Sequence, residues 1–298
     1  MDQAEHLRKI VKEHEIVPKQ NARVITVTSG KGGVGKSSTS VNLAIQLSRL
    51  GKRVVVFDAD FGLANVEVML GIRPKFNLAD LMFRGKELRE IVTEGPENIG
   101  FVSGGSGIQE LTKLTREQII YLIQKLVQLD EMADVIIVDT GAGISDSVLE
   151  FVIASSEVLL VATPEPTSIT DAYALLKSLR RKEEFVNSPP KIRMISNRIS
   201  SANEGIEIYG KLNTVVNKFL DINFEYIGGI PQDKMMSQAI MQQKPVSLAY
   251  PNSPGAKAME ELAMKLCNLE ADIAIEKRGI AKLFTNLIRG NILNHKKR

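Results

Sequence analysis

The sequence predicts an α/β fold, a single domain with a twisted, mostly parallel sheet and helices on both faces. Apolar, β-branched runs recur along the chain and alternate with helix-length amphipathic segments. Several of these runs end in aspartate, asparagine or proline, and ligands bind beyond the carboxyl ends of strands in open parallel sheets. One run leads directly into a glycine-rich loop and then a helix, a unit suited to binding phosphate.

The composition fits a globular protein with a large core. The chain has 298 residues, of which 44% are hydrophobic and 24% charged. A net charge of +3 gives no overall field that would favour nucleic acid, so no specific nucleic-acid partner is expected. A single cysteine, Cys267, excludes a disulfide framework and any Cys-x-x-Cys metal or iron–sulfur site within the chain. There is no signal peptide and no apolar run of membrane-spanning length, so we expect a cytoplasmic protein.

The glycine-rich loop fits the phosphate-binding pattern G-x-x-x-x-G-K-[ST]. A buried strand over 23–28 precedes it and a helix over 36–50 follows, which makes a chance match in an ordinary turn a poor alternative. We expect Lys36 to neutralise the β- and γ-phosphates and Ser37 to ligate Mg²⁺. The predicted nucleotide-binding residues of the loop are Gly30, Lys31, Gly32, Gly33, Val34, Gly35, Lys36, Ser37 and Ser38.

A second lysine, Lys31, distinguishes this loop from an ordinary one. It is a solvated loop charge unless a phosphate reaches it. The run from Gly30 to Ser37 resembles the deviant Walker A loop of the MinD/ParA class of ATPases. In that class the extra lysine reaches the phosphates of the partner subunit in an ATP-sandwiched dimer. The resemblance implies ATP and Mg²⁺ as cofactors, a homodimer with ATP, and Lys31 acting with Lys36 in catalysis.

Three carboxylates follow predicted strands. Asp58 and Asp60 end the strand that begins near Lys52, and Asp139 ends the strand that begins at Asp134. Asp60 resembles the family's switch I aspartate, which positions the attacking water, although an N-cap of the next helix is the alternative. Asp58 and Asp139 join Ser37 as the predicted Mg²⁺ ligands, Asp139 as the Walker B residue.

Thr140 to Gly143 resembles switch II of the same class, whose glycines let the backbone approach the γ-phosphate. Gly141 replaces the proline that is common there, which leaves the stiffness of the loop open.

The base of the nucleotide is expected at the ends of two later strands. Asn197 resembles the base-contacting asparagine of the family, and an asparagine amide can pair with the adenine edge. Asparagine is also a common turn former at a strand end, and the residues alone leave both interpretations open. The resemblance places Pro231 near the base, and Arg198, next to Asn197, is included in the predicted nucleotide site.

The amino terminus stands apart from the nucleotide fold. Residues 1–16 are predicted to form a short amphipathic helix and 17–22 a linker, before an ATPase domain over 23–276. The start, Asp2, Gln3 and Ala4, resembles the activator segment of the FlhG family of MinD-like regulators of flagellar number. In that family the segment docks on an SRP-type GTPase, FlhF, and stimulates its hydrolysis. A helix packed on its own domain is the alternative.

The carboxyl terminus over 277–298 has the pattern of an in-plane membrane helix. Its polar side is basic, with no acidic residue after Glu276, which favours anionic lipid. Periodicity alone is also satisfied by a terminal helix packed on the body, but MinD-type proteins end in such a targeting helix. The predicted membrane-binding residues are Ile280, Leu283, Phe284, Leu287 and Ile288.

These features together predict a switch ATPase that binds reversibly to the inner face of the cell membrane as an ATP-dependent homodimer. The implied role is control of flagellar number or placement through FlhF and flagellar switch-complex (C-ring) proteins. A MinD-like selector of the division site and a non-hydrolysing, nucleotide-gated scaffold or anti-activator are the alternatives. The net charge disfavours a DNA-partitioning ParA, and the lone cysteine disfavours an iron–sulfur-assembly ATPase.

Overall fold

The structure, a computed structural model, describes residues 22–60, 65–105, 116–269 and 279–295, without the side chains of 116, 119 and 288–295. Its eight strands are β1 (Arg23–Thr28), β2 (Val54–Ala59), β3 (Thr93–Glu94), β4 (Gly100–Ser103), β5 (Val135–Thr140), β6 (Glu157–Ala162), β7 (Lys191–Ile199) and β8 (Phe224–Pro231). They form one sheet in the order β3-β4-β2-β5-β1-β6-β7-β8. All neighbouring strands are parallel except β3, which pairs antiparallel with β4.

The helices cover both faces of this sheet. In chain order they are α1 (Lys36–Arg49), α2 (Asn65–Leu70), α3 (Leu78–Phe83), α4 (Leu88–Ile91), α5 (Arg116–Met132), α6 (Asp146–Ala154), α7 (Pro166–Arg180), α8 (Glu183–Asn187), α9 (Ala202–Leu220), α10 (Lys234–Met241), α11 (Val246–Ala249), α12 (Pro254–Asn268) and α13 (Ile280–His295). A 3₁₀ turn, Pro96–Asn98, lies between β3 and β4. The predicted α/β fold is confirmed.

Alternating strand residues show why both faces need helices. In β2, Val55 and Phe57 belong to one apolar cluster, with α3, α4, α5 and α13. Val54 and Val56 belong to another cluster, with α1 and α12. A strand whose two faces are both buried reads as a continuous apolar run, as these strands do. The parallel strands end at the same edge of the sheet, and the glycine-rich loop lies at this edge.

The carboxyl-terminal helix α13 is part of the core. Its apolar residues Ile280, Leu283, Phe284 and Leu287 are buried in the cluster on the β2 and β5 face. The ring of Phe284 contacts Phe57 at 5.5 Å and Phe151 at 6.1 Å between centroids, both edge-to-face. This docking lets α13 cover a face of the sheet that would otherwise expose aromatic and branched side chains.

The start of α13 is anchored by a buried carboxylate. Asp130 accepts the backbone N–H of Ile280 at 2.6 Å and of Ala281 at 3.3 Å, which satisfies donors that a helix start leaves unpaired. The N–H of Gly279 donates to the carbonyl of Ala22 at 2.9 Å, so the helix is also tied to the start of β1. Burial raises the pKa of Asp130 to about 7, against the opposing effect of the two N–H donors.

The docked helix matches the alternative that the sequence left open, a terminal helix packed on the body. Membrane binding by its apolar face stays a prediction. Ile280, Leu283, Phe284 and Leu287 face the protein core because the β2 and β5 face offers an apolar surface of matching length. The predicted boundary at residue 277 lies outside the described residues, and α13, which follows it, packs on the sheet. The side chain of Ile288 lies outside the described residues. Among the helices described, none combines the length and the hydropathy needed to cross a bilayer.

Candidate nucleotide site

The phosphate loop joins β1 to α1 at the carboxyl edge of the sheet. Gly35 precedes α1 in a left-handed conformation, with φ at 93°, and no side chain caps the helix. The first-turn N–H groups of α1 therefore remain available for an anion, and the helix dipole favours negative charge there. Gly30 lies so close to α7 that a Cβ atom would sit 2.2 Å from the backbone of Asp171. The loop thus needs glycine at both positions.

Lys36 is buried and paired with Asp139, the predicted Walker B aspartate. Its Nζ lies 3.0 Å from Oδ1 of Asp139, and the same oxygen accepts the hydroxyl of Ser40 at 2.7 Å. The sequence analysis did not identify Ser40, although it lies one helical turn after Lys36 and so shares its face of α1. A lysine held by a carboxylate can exchange that partner for a phosphate, because both anions accept charge-assisted hydrogen bonds from an ammonium group.

The second oxygen of Asp139 provides a test for a metal. Oδ2 is buried and, within the described part of the chain, has no hydrogen-bond partner. A buried carboxylate oxygen in that state fits Mg²⁺ held directly or through water, with Ser37 close by, since Lys36 Nζ is 3.4 Å from its hydroxyl. The described residues contain no group of three or more His, Cys, Asp or Glu side chains that could enclose a metal alone. Magnesium in nucleotide sites needs only one or two carboxylates, since phosphates and water complete its shell.

Asp58 and Asp60 lie beside Asp139 at the end of β2. Asp58 pairs in register with Asp139 on β5, and its Oδ1 accepts the N–H of Asp60 at 3.0 Å. Burial raises the pKa of Asp58 to about 7, and the neighbouring charges of Asp139 and Asp60 add to the effect. Asp60 borders a cavity of about 170 Å³ that Gly141, Ala142 and Ser145 help to line. Its position opposite Gly141 and Ala142 of the predicted switch II suits a group that orients a water molecule.

Lys31 is bound to its own chain. Its Nζ donates to Oε2 of Glu165 at 2.9 Å and to the hydroxyl of Thr167 at 2.8 Å, both at the start of α7. The hydrogen bond from Lys31 is the main cause that lowers the pKa of Glu165. The side chain of Lys31 remains 37% exposed, so it can leave this position without disturbing the core. The sequence analysis did not identify Glu165 or Thr167 as its partners.

The predicted switch II segment, Thr140 to Gly143, is hydrogen-bonded to the phosphate loop and to the strand before it. The N–H of Gly143 donates to the carbonyl of Ser29 at 2.9 Å, and the Thr140 hydroxyl donates to the carbonyl of Val27 at 3.0 Å. The strand end that carries Asp139 is therefore in direct contact with the strand that leads into the loop. A Cβ at Gly141 would lie 3.5 Å from Val148 and 3.6 Å from Asp60, ordinary contact distances.

A cleft of about 660 Å³ lies on the other side of the loop. It is bordered by Gly35 and Ser38 of the loop, Asn197 and Arg198 of β7, and Pro231 at the end of β8. The Asn197 amide is buried and donates from Nδ2 to the carbonyl of Val34 at 2.7 Å. Its Oδ1 accepts the N–H of Arg198 at 2.9 Å. The structure therefore brings the predicted base-side residues together, with Asn197 bonded to the phosphate loop rather than acting only in a turn.

The predicted GTPase-activating residues Asp2, Gln3 and Ala4 lie outside the described residues, as does the predicted linker up to residue 21. Every other predicted nucleotide or metal residue lies at the carboxyl edge of the sheet.

Comparison with known proteins agrees with this geometry. A family model described as ParA, NUBPL iron-transfer P-loop NTPase, matches residues 20–267. The chain is 45% identical over 244 residues to the antiactivator FleN of Pseudomonas aeruginosa, covering 82% of this chain and 86% of that protein. It is 32% identical over 284 residues to the flagellum site-determining protein YlxH of Helicobacter pylori, covering 91% of each. The MinC:MinD cell division complex of Aquifex aeolicus has a chain with a TM-score of 0.64 and 25% identity, which covers 83% of this chain and 96% of that one.

Proposed function

Because this chain belongs to the ParA family of P-loop NTPases, we propose that it is a MinD-like, ATP-dependent switch ATPase that regulates the number or placement of flagella. The observation that carries the ATPase part is the buried contact between Lys36 and Asp139, beside an unpaired oxygen of Asp139. Lys36 exchanges this carboxylate for the β- and γ-phosphates when nucleotide binds. Ser37 and Asp139, with Asp58 nearby, would hold Mg²⁺, which neutralises phosphate charge when bound.

The Asn197 amide supports adenine as the base. Its Oδ1 already accepts Arg198 N–H and its Nδ2 already donates to Val34, so its orientation is fixed. One N–H and one lone pair remain, in the order donor and acceptor. This pair matches the N6 amino group and a ring nitrogen of adenine, whereas the O6 of guanine would face an oxygen. ATP is therefore the proposed substrate, with Arg198 and Pro231 at the sides of the base cleft.

The exposure of Lys31 supports the proposed dimerisation. In the single chain Lys31 is hydrogen-bonded to Glu165 and Thr167, and more than a third of its side chain is exposed. A second copy carrying ATP offers a triphosphate of higher charge than one carboxylate, so Lys31 moves to the partner's phosphates. Asp60 then orients the attacking water for hydrolysis, and the dimer separates.

Membrane association requires α13 to leave its groove. Insertion of its buried side chains into lipid would offset the loss of their contacts in the core, because both environments are apolar. Undocking exposes Ile280, Leu283, Phe284 and Leu287, each worth about 1.5–3 kcal/mol when buried. Two such helices in an ATP-bound dimer would hold the membrane more strongly than one, through effective concentration. The proposed localisation is therefore cytoplasmic and reversibly peripheral, with anionic lipid at the inner face of the cell membrane as the surface bound.

The flagellar role rests on relatives that bear the names flagellum site-determining protein and antiactivator. We propose that the amino-terminal segment, with Asp2, Gln3 and Ala4, stimulates the SRP-type GTPase FlhF, and that C-ring proteins are further partners. A nucleotide-gated antiactivator that binds a transcription factor is the second candidate, since 45% identity links this chain to a protein of that name.

Two assays with purified protein and one in cells test these proposals. Mg-ATP hydrolysis with Lys36→Ala, Lys31→Ala and Asp60→Ala variants tests the ATPase, and we expect each variant to lose turnover. Lys36→Ala should also lose nucleotide binding, whereas Asp60→Ala should retain it and remain dimeric. Full turnover in Asp60→Ala would contradict the proposed role of that residue.

GTP hydrolysis by purified FlhF, with and without a peptide of residues 1–20, tests the proposed stimulation of FlhF. Stimulation that disappears with Gln3→Ala would support it, and no effect from a bound peptide would contradict it. Cells carrying Asp60→Ala separate the candidates: normal flagellar number favours a nucleotide-gated antiactivator that does not need hydrolysis.

A further inference from the structure

Two consecutive residues at the end of β7 hold two consecutive carbonyls of the phosphate loop. The Asn197 amide donates to the carbonyl of Val34 at 2.7 Å, and Nη2 of Arg198 donates to the carbonyl of Gly33 at 2.8 Å. We propose that Asn197 and Arg198 act as a clasp that sets the shape of the phosphate loop, and are positioning residues for phosphate binding. This inference rests on the proposed function of the cleft as an ATP site.

The direction of the loop's carbonyls explains why a clasp matters. A phosphate loop binds anions through N–H groups that point inward, so its carbonyls must point outward. A carbonyl that turned inward would face the phosphate oxygens and repel them. Donors on the outer side hold Gly33 and Val34 in the outward orientation, with Asn197 buried at 4% exposure and therefore fixed in place.

The loop is fitted closely to the asparagine. A Cβ atom at Gly35 would lie 2.2 Å from Nδ2 of Asn197, much closer than any real contact allows. The second glycine of the phosphate motif is therefore required on this side by Asn197, in addition to its positive φ.

Arg198 itself is held in a strained backbone conformation. Its φ is 59°, in the left-handed region that non-glycine residues rarely adopt. Such strain persists only where surrounding contacts over-determine the conformation. Here the contacts are the N–H of Arg198 on Oδ1 of Asn197 and the guanidinium on Gly33, so the two residues of the clasp support each other.

The clasp connects the base cleft to the phosphate loop. Asn197 and Arg198 both border the base cleft while bonding to the phosphate loop. A base that fits the Asn197 amide leaves these hydrogen bonds intact, whereas a base that pulls the amide away frees the carbonyl of Val34. The wrong nucleotide would then lose phosphate affinity as well as base affinity.

The test uses Mg-tripolyphosphate, which carries the three phosphates of ATP without ribose or base. We expect Asn197→Ala and Arg198→Gly each to weaken its binding about tenfold, the effect of one lost hydrogen bond of about 1.4 kcal/mol. Glycine at 198 adopts the positive φ without strain, so the variant removes the arginine side chain and keeps the backbone conformation. The matched control is Arg180→Ala, which removes a comparable arginine contact, 2.7 Å to the carbonyl of Leu220, away from the cleft.

The outcomes separate the clasp from a base contact. If the variants lose ATP affinity but bind tripolyphosphate like the wild type, Asn197 and Arg198 contact only the nucleoside and the clasp is refuted. If the wild type binds neither ligand, the proposed ATP site fails and the clasp fails with it.

A further variant tests the same contact if Asn197→Ala does not fold. Asn197→Asp is isosteric and keeps the acceptor for Arg198, but its carboxylate cannot donate to Val34. Relative to the wild type, its tripolyphosphate affinity should recover as the pH falls and the carboxyl gains a proton to donate. If the ratio of tripolyphosphate affinities between Asn197→Asp and the wild type does not change with pH, the contact with Val34 is contradicted.

Discussion

Truncation of Phe151 should loosen α13 without altering α13 itself. The ring of Phe151, on α6, lies edge-to-face with Phe284 at 6.1 Å and is buried. A Phe→Ala change in a core costs about 3–5 kcal/mol. The edge-to-face pair accounts for about 0.5–1.5 kcal/mol of this, and lost apolar contact with α13 adds to it. Assigning about 2 kcal/mol to the docking contact predicts that α13 opens about thirtyfold more often.

Hydrogen exchange measures this opening directly. Backbone amides of α13 that exchange through local opening should exchange about thirtyfold faster in Phe151→Ala than in the wild type. Phe185→Ala is the control, because Phe185 is equally buried but belongs to the cluster around α7 and α9. It should lower the melting temperature without selectively exposing α13. Equal exchange rates of α13 in the two variants would refute the assignment of docking energy to Phe151.

The same variants test what the helix does when it is free. The Phe151→Ala variant leaves the apolar face of α13 unchanged. This variant should therefore bind anionic lipid vesicles without ATP, while the Phe185→Ala variant should not. Faster exchange without any vesicle binding would refute the membrane role of α13 and keep only its structural role.

Three further changes have defined outcomes. Glu157→Gln leaves the buried Arg23 and Arg193 without their shared carboxylate, and urea unfolding should show a loss of about 3–5 kcal/mol. The pKa of Asp130 is raised to about 7, so between about pH 4 and 7 the folded chain holds a proton that the unfolded chain has lost. Stability therefore falls by about 1.4 kcal/mol per pH unit as pH rises in that window, and Asp130→Asn should remove this part of the slope in unfolding curves taken at several pH values. Glu165→Gln releases Lys31 from its carboxylate, and light scattering should show faster ATP-dependent dimerisation, with a difference from wild type that shrinks at high salt.

Local patterns predicted most of the sheet. The strand over 23–28, the glycine loop and the helix from Lys36 all appear where the sequence places them, because each is determined by residues adjacent in the chain. The helix α9 was not assigned from the sequence, although it has a clear start at Ser201, whose hydroxyl accepts the N–H of Glu204. Only Ser200 separates Ser201 from the end of β7, so no loop signal marks the change from the strand period to the helix period.

Contacts between distant residues could not be predicted in this way. Lys31 and Glu165 are separated by 134 residues, and their hydrogen bond depends on how β6 lies beside β1. An amphipathic stripe gives the direction of the apolar face of α13 but not what lies opposite it. Lipid and a sheet face satisfy the same periodicity, and only the fold reveals that β2 and β5 present a free apolar surface there.

The position of Phe57 gives the docked helix a physical connection to the nucleotide site. Phe57 and Asp58 are consecutive in β2, so their side chains leave opposite faces of the strand. Phe57 contacts Phe284 of α13, while Asp58 lies beside Asp139. Phe151, the other aromatic partner of α13, also lines the cavity that Asp60 borders. A movement of the predicted switch residues Asp60 or Gly141 should therefore change the surface on which α13 packs, and hydrogen exchange of α13 with and without ATP should detect it. Unchanged exchange on ATP binding would mean that α13 and the nucleotide site are independent.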